Sequence, residues 1–330
     1  MRITDYAILF VLIFFPVFWF YSLGIKEETD AVRLEQQYTQ AVQTAVQDAS
    51  SVMNLNEDPL FETSYASSKF TRVDKDLLLD TFMHTISINF GLDEDLSAQR
   101  AFLTYLPALL VIDYDGYYIY QSAPYTNQEG QNAEEHLWTE KKMYIYADEL
   151  GNTVRFTLDD YVYAYEHRTG QWVEGYLDEI RALTSIPLLQ DAEAFDQVRR
   201  QTIVSEIQDG LAYAIHIHNE KALNNGYAYQ FTLPVIPQEE WYNTIDDVGV
   251  MAFIQGIPVG TGYYNNYAFS GGRLVKTTPI VGGIDAETGI KYYYPSTCNL
   301  AFVPMERFTT SKEAAAAGYF EHGCINNAYR

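Results

Sequence analysis

The first 24 residues constrain this chain more than any other part of it. Residues 7–23 read AILFVLIFFPVFWFYSL and contain no charged residue, with Arg2 and Asp5 before them and Lys26 after them. At about 1.5 Å per helical residue, such a run approaches the hydrocarbon thickness of a bilayer, about 30 Å. The run therefore predicts a single membrane-spanning helix.

A cleaved signal peptide is the alternative interpretation of this run. Cleavage requires a pattern of the Ala-x-Ala kind after the apolar stretch, and Phe20-Tyr21-Ser22-Leu23-Gly24 contains no Ala-x-Ala sequence. The side chains of Trp19 and Tyr21 are typical of the membrane interface. The sequence therefore favours an uncleaved signal-anchor over residues 1–24.

The charges that flank the run predict its orientation. Arg2 precedes the run, whereas Lys26 is followed at once by Glu27 and Glu28. Positive charges accumulate on the cytoplasmic side of membrane proteins. We therefore expect a single-pass protein of the cell membrane, with a cytoplasmic N-terminus and an extracellular C-terminal domain. The lipid bilayer is then one of its partners.

Charge and aromatic content restrict the classes of partner. Asp and Glu number 44 against 21 Lys and Arg, which gives a net charge of −23. This acidic balance repels phosphate backbones, so we expect no nucleic-acid partner. The chain also holds 28 Tyr, which indicate either half-exposed strands or a Tyr-lined contact surface.

Familiar catalytic motifs are absent from the sequence. It contains no phosphate-binding loop, dinucleotide fingerprint, His-Glu-x-x-His or Gly-x-Ser-x-Gly pattern. His216 and His218 lie two residues apart in a predicted helix and so point to different sides of it. The sequence therefore predicts a protein with no enzymatic activity, no catalytic residues and no bound cofactor.

A stalk helix is predicted to follow the anchor, within residues 25–60. In residues 27–53 the apolar positions recur mainly at spacings of three and four, which is typical of an amphipathic helix. Ala41, Ala45 and Ala49 form a stripe of small side chains along it, which permits close helix packing. Such a stripe most often packs on its own domain; the alternative is contact with a partner protein, for which Ala41, Ala45 and Ala49 are the predicted stalk interface.

An extracellular head is predicted over residues 61–285. The strongest signal in it is a hairpin over 108–121, with Asp115-Gly116 at the turn. Periodicity, capping residues and turn residues predict helices over 74–90 and 192–223, strands over 142–147, 153–158 and 227–235, and loops over 241–284. The predicted fold class is α+β, with antiparallel hairpins between helices.

Residues 286–330 contain a pattern of their own. It comprises Tyr293, Tyr294, Cys298, Ser311, Glu313, Ala314, Ala317, Gly318, Tyr319, His322 and Cys324. This pattern resembles the small zinc-binding module of Ada, which implies a ββα-like fold. It departs from that family at the metal ligands, because Tyr294 stands where a His is usual and His322 where a Cys is usual.

The two cysteines of the chain, Cys298 and Cys324, both belong to this module. A structural zinc site takes four nitrogen or sulfur ligands, and the module offers three, Cys298, His322 and Cys324. In an exported chain, a sparse and even number of cysteines favours a disulfide. We therefore predict a disulfide between the two cysteines and no metal, with a degenerate zinc site as the alternative.

The whole chain also has a looser resemblance to a known family. The segments that carry it are 30–46, 108–113 with Asp115-Gly116, 211–213, 218–219 and 231–236. With the N-terminal run, they resemble TadE-type, pseudopilin-like proteins of Gram-positive Tad-like or type IV pilus-like secretion loci. The Gly-Phe-Thr-Leu-x-Glu processing site of true pilins is missing. The resemblance implies a non-enzymatic accessory or structural component of a pilus-like or type II secretion-like assembly, which binds other assembly proteins through its stalk and transmembrane helix.

Two further classes of function compete with this one. An anchor, a long helix and a hairpin are also the layout of extracellular ligand-sensing domains with PAS-like or Cache-like folds. Such a sensor would act through a partner membrane protein, because only residues 1–6 precede the apolar run. A secreted hydrolase would use paired acids, and no acidic pair is singled out by its spacing.

Overall fold

A computed structural model gives the fold of the chain. It describes residues 3–53, 67, 70–126, 132–227, 229–271, 280–285, 288–295, 302–308, 314–315 and 317–322. The chain divides into two compact units, Met1–Leu274 and Val275–Arg330. The second unit thus begins before the module that we predicted from residue 286 onward.

Helix α1 spans Ile3–Ser51 and includes both the apolar run and the stalk. Within the described residues, no helix combines the length and the apolar content needed to cross a membrane. The predicted transmembrane anchor is therefore wrong, and so are the single-pass membrane location and the extracellular orientation that depended on it. Length is the physical reason, because residues 7–23 rise only about 26 Å as a helix, short of the hydrocarbon thickness of about 30 Å.

A nine-stranded antiparallel sheet is the framework of the first unit, and the predicted α+β class is confirmed. Its strands are β1 Ala108–Asp113, β2 Gly116–Thr126, β3 Asn132–Trp138, β4 Lys142–Ala147, β5 Thr153–Phe156, β6 Tyr161–Glu166, β7 Gln171–Tyr176, β8 Gly249–Val259 and β9 Gly262–Gly271. Their order is β7-β6-β5-β4-β2-β1-β8-β9, and β3 also pairs with β2. Strands β7 and β9 are therefore the two ends of this order.

Helices pack on this sheet. Besides α1, the described helices of the unit are α2 Lys75–Phe90, α3 Leu96–Phe102, α4 Leu177–Ile180, α5 Pro187–Gln190, α6 Ala192–Asn224 and α7 Gln238–Thr244. The carboxylate of Asp191 caps α6 by accepting hydrogen bonds from the next N–H groups, as predicted. Helix α2 ends at Gly91, whose φ of 67° lies in the left-handed region that glycine tolerates. Both predicted helices are confirmed.

Helices α1 and α6 lie on opposite faces of the sheet. The hydroxyl of Tyr117 in β2 donates to the carbonyl of Glu206 in α6 at 2.6 Å. Through the pairing of β2 with β1, β1 with β8 and β8 with β9, Tyr117 lies in the same row as Gly271, so the two residues share one face of the sheet. The neighbouring Ser270 therefore faces the other side. There its hydroxyl lies 2.8 Å from that of Ser50 in α1. Strand β1, between the two layers, is buried at every position.

The loops predicted over 241–284 are replaced by a long hairpin, β8 and β9. Frequent glycines suggested loops, but two of them, Gly249 and Gly256, have structural roles within β8. A Cβ at Gly249 would lie only 2.7 Å from the Phe269 ring, which packs directly on this glycine. Gly256 has a φ of 83° at the point where the register shifts, so it forms a β-bulge.

The strand predicted over 227–235 is wrong for the described residues of that segment, which form no regular element. Two side-chain amides make the backbone hydrogen bonds that a neighbouring strand would make. Asn219 accepts from the N–H of Phe231 at 2.7 Å and donates to its carbonyl at 2.8 Å. Gln255 does the same for Thr232, at 3.0 and 2.7 Å. The segment is therefore held in place without strand pairing.

The second unit contains a smaller sheet. Its strands are β10 Ile280–Ile284, β11 Lys291–Pro295, β12 Val303–Phe308 and β13 Phe320–Glu321. Their order is β12-β10-β11-β13, with β13 parallel to β11 and the other pairs antiparallel. Gly282 in β10 makes room for aromatic packing, because a Cβ there would lie 2.6 Å from the ring of Tyr319.

Candidate functional site

One face of the sheet is open to solvent over β5 and β6 and the neighbouring edge strand β7. Along β5 and β6 buried side chains alternate with more exposed ones, and the buried set faces α6, where Phe156 meets Phe195 edge-on at 5.5 Å. The opposite side carries a cluster that we call the aromatic face. Its members are Arg155, Tyr163, Tyr165 and Trp172.

The side chains of the aromatic face are stacked on one another. The rings of Tyr163 and Trp172 are nearly parallel, with centroids 4.7 Å apart and planes at 20°, and Tyr165 lies 5.0 Å from Trp172. The Arg155 guanidinium lies 5.5 Å from the Tyr163 ring and 5.7 Å from that of Trp172. Trp172 nevertheless remains 47% exposed. The cluster is thus preorganised while a large apolar surface still faces solvent.

The polar groups of the aromatic face are hydrogen-bond donors. A guanidinium and an indole N–H only donate, and a phenol hydroxyl can donate. The Nε atom of Arg155 is buried and makes no hydrogen bond within the described residues. The face can therefore stack on an apolar group and donate hydrogen bonds to carbonyl oxygens beside it.

A buried charge cluster lies at the turn between β1 and β2. The Lys141 ammonium lies 2.9 Å from the Asp113 carboxylate and also contacts that of Asp115; all three side chains are nearly buried. Burial raises the pKa of Asp113. Burial alone would lower the pKa of Lys141, but the two carboxylates outweigh it and the net shift is upward. Lys141 therefore stays charged near neutral pH and holds the turn rather than acting as a base.

A second polar cluster joins β3 to α6. The rings of His136 and His218 lie 6.1 Å apart, and a nitrogen of His218 lies 2.9 Å from the Thr104 carbonyl. Burial lowers the pKa of His136 to about 4, assisted by the charges of Lys221 and His218. Burial likewise lowers the pKa of His218 to about 4. Both imidazoles are therefore neutral near neutral pH.

The predicted cysteine and zinc residues lie in the second unit. Cys298 and Cys324 are outside the described residues, and no disulfide occurs within the described part, so the predicted disulfide has no support. The His322 ring packs edge-on against Tyr292 and Phe302 at 5.3 and 5.0 Å. No group of three or more His, Cys, Asp or Glu that could hold a metal ion occurs among the described residues. Zinc at the alternative site therefore stays a prediction.

The alanine stripe of the stalk lies inside the first unit. Ala41, Ala45 and Ala49 are buried in its main core, where α1 packs against α2, β8 and β9. Their surface is therefore covered by their own chain. This is the packing that such a stripe most often shows, and it leaves the predicted stalk interface no room for a partner helix.

The aromatic face was not predicted from the sequence, although one of its strands carries a visible pattern. Residues 161–166 place a tyrosine at every second position, between Val162, Ala164 and Glu166, and this period of two indicates a half-buried strand. The Tyr excess pointed to strands or to a contact surface, and here one strand serves both.

Comparison with family models, curated proteins and solved structures found no match for this chain.

Proposed function

We propose that this chain is a non-enzymatic interaction protein that binds a proline-rich segment of a partner on its aromatic face. The observation that carries the proposal is the half-exposed Trp172, stacked on Tyr163 and Arg155. Trp, Tyr and Arg are the residue types that contribute most binding energy in protein interfaces. A stacked cluster also loses little side-chain entropy on binding.

Hydrogen-bonding chemistry selects the partner. A polyproline II segment presents carbonyl oxygens and few N–H groups, because proline has no amide proton. It docks on aromatic surfaces whose side chains supply donors. The guanidinium of Arg155, the hydroxyls of Tyr163 and Tyr165 and the indole N–H of Trp172 are such donors. The face therefore complements a proline-rich segment better than one with exposed N–H groups.

Charge refines the choice. The net charge of −23 favours approach of cationic chains over anionic ones. Glu174, directly opposite Tyr163 in the register, adds an exposed carboxylate at the border of the face. We therefore expect basic residues beside the prolines. The structural role in a pilus-like or secretion-like assembly and the ligand-sensing alternative stay predictions, and neither is needed for this binding.

Fluorescence anisotropy with labelled peptides tests the proposal. A proline-rich peptide with flanking arginines should bind the full chain with micromolar affinity, and a peptide with the prolines replaced by alanine should bind more weakly. Trp172→Ala should weaken binding by about tenfold or more. Its matched control is Leu183→Ala, which truncates another exposed apolar side chain outside the face.

Loss of a ring stack costs only about 0.5–1.5 kcal/mol, so Trp172→Ala should leave the sheet intact. The folding of both variants is verified before their binding is compared. Equal weakening by both variants, or no preference for proline, would contradict a proline-binding face. Tighter binding of an acid-flanked peptide would contradict the assigned charge of the partner.

A further inference from the structure

Strand β9 has an open edge of unusual composition. Its ten residues, Gly262–Gly271, contain no charged residue and no proline. It ends the strand order, and no further strand pairs with it among the described residues. Natural edge strands are usually protected from pairing by charges, prolines, bulges or short length. Strand β9 contains neither charges nor prolines, and with ten residues it is long.

The backbone groups that face outward can be assigned. In an antiparallel ladder, alternate residues direct their N–H and C=O groups away from the neighbouring strand. The N–H of Tyr267 donates to the side chain of Asn266 at 2.9 Å, so it does not point to β8. By alternation, Phe269 and Gly271 also direct their backbone groups to the open edge. The outward backbone groups of Phe269 and Gly271 therefore offer a template for another strand, whereas the N–H of Tyr267 is already bound by the Asn266 side chain.

The opposite edge of the sheet is protected. Strand β7 has only six residues, Gln171–Tyr176, with Glu174 exposed in its middle. Gly175 has a φ of 144°, which departs from regular strand geometry. These are the devices that discourage edge pairing. The contrast shows that the absence of protection in β9 is a property of that strand and not of the whole sheet.

We propose that the β9 edge pairs with the β9 edge of a second copy of this chain, antiparallel and around a twofold axis. The net charge of −23 makes two copies repel each other, so self-association requires a contact surface that brings no further carboxylates together. The β9 strand brings none, and Glu240 beside it already accepts a hydrogen bond from the Tyr267 hydroxyl at 3.0 Å.

Self-complementarity supports the same occupant. A twofold interface brings the same surface of each subunit together. Pairing centred on Phe269 places Tyr267 opposite Gly271 of the second copy. A large ring then covers a glycine across the strands, a cross-strand arrangement that compensates for the missing side chain. The product is one continuous sheet across the two copies.

Sedimentation and hydrogen exchange of the full chain test this pairing. The protein should shift from monomer to dimer over the micromolar range. In the same range, exchange of the peptide covering 262–271 should slow, whereas the peptide covering 171–176 at the opposite edge should not change. Gly271→Pro removes an outward N–H, and a Cβ at this position meets no atom closer than 3.7 Å. It should raise the dimer dissociation constant by about tenfold or more.

Several outcomes would overturn the inference. A chain that stays monomeric at all concentrations would overturn it. A dimer in which the hydrogen exchange of 262–271 is unchanged would also overturn it. Growth beyond the dimer would show a head-to-tail contact in place of a twofold one. If Gly271→Pro fails to fold, the concentration dependence of exchange in the unaltered chain still decides.

Discussion

The two halves of the large sheet differ in what covers them. Strands β1 and β8 lie between α1 and α6 and are buried along almost their whole length. Strands β5 and β6 are covered by α6 on one side only, so their burial alternates from residue to residue. We call β1, β2, β8 and β9 the covered half, and β4 to β7 the open half.

This difference separates stability from recognition within one sheet. In the covered half, continuous apolar strands such as Ala108–Asp113 bury both faces, a pattern more common in parallel sheets. In the open half, the same backbone presents the aromatic face to solvent. Substitutions in the covered half should therefore change folding, whereas those on the open face should chiefly change binding.

The largest expected effect is on the covered half, where α1 packs. Ala45 is fully buried, so Ala45→Arg forces a long charged side chain between α1 and the sheet. Overpacking and burial of an unpaired charge together should cost more than about 5 kcal/mol, enough to prevent folding. Circular dichroism and urea unfolding measure this.

A matched control lies two residues away. Gln43 is on the same helix but exposed, so Gln43→Arg should change the free energy of unfolding by less than about 0.5 kcal/mol. If Ala45→Arg folded as well as Gln43→Arg, α1 would not be part of the covered half, and the stripe would again be free for a partner helix.

The next effect concerns the boundary between the halves. Lys141 precedes β4 and pairs with Asp113 and Asp115 at the end of β1. Lys141→Met removes the cation that contacts two nearly buried carboxylates, which should cost about 3–5 kcal/mol. The neighbouring Lys142 is exposed, so Lys142→Met should cost much less.

Chemical denaturation of both lysine variants, with the unaltered chain alongside, measures this difference. A similar small loss for the two variants would mean that the turn between β1 and β2 does not depend on its buried ions. The two halves would then be joined by backbone pairing alone.

The local elements follow from the sequence better than the sheet does. Helix α6, with its Asp191 cap, and the hairpin of β1 and β2 follow from periodicity and turn residues, which act over short distances. The hairpin turn itself is displaced by one residue, because Tyr114 and Asp115 form the loop and Gly116 opens β2. Strand order depends on contacts between distant segments, which a single sequence does not encode locally.

The elements that were mispredicted share a physical cause. In β8 and β9, glycines required by ring packing and by a bulge were interpreted as loop residues. In the segment 227–235, side-chain amides of Asn219 and Gln255 replaced strand partners that the alternating pattern had suggested. In α1, burial of the alanine stripe depends on a sheet far away in sequence. Tertiary contacts decided each of these, and they also assembled the aromatic face from three strands.

The smallest expected effect is a pH dependence at the contact between β3, which pairs with β2 of the covered half, and α6. His136 and His218 have pKa values of about 4 in the folded chain, because burial disfavours their charged forms, against about 6.5 when unfolded. Between these pH values the unfolded chain binds more protons, so stability rises with pH there and falls as pH drops from 6.5 to 4. Each histidine contributes up to about 3 kcal/mol of this loss.

Unfolding at a series of pH values should show a shallower slope for His136→Gln and for His218→Gln. A slope for His218→Gln equal to that of the unaltered chain would mean that the interior between β3 and α6 does not exclude a charged imidazole.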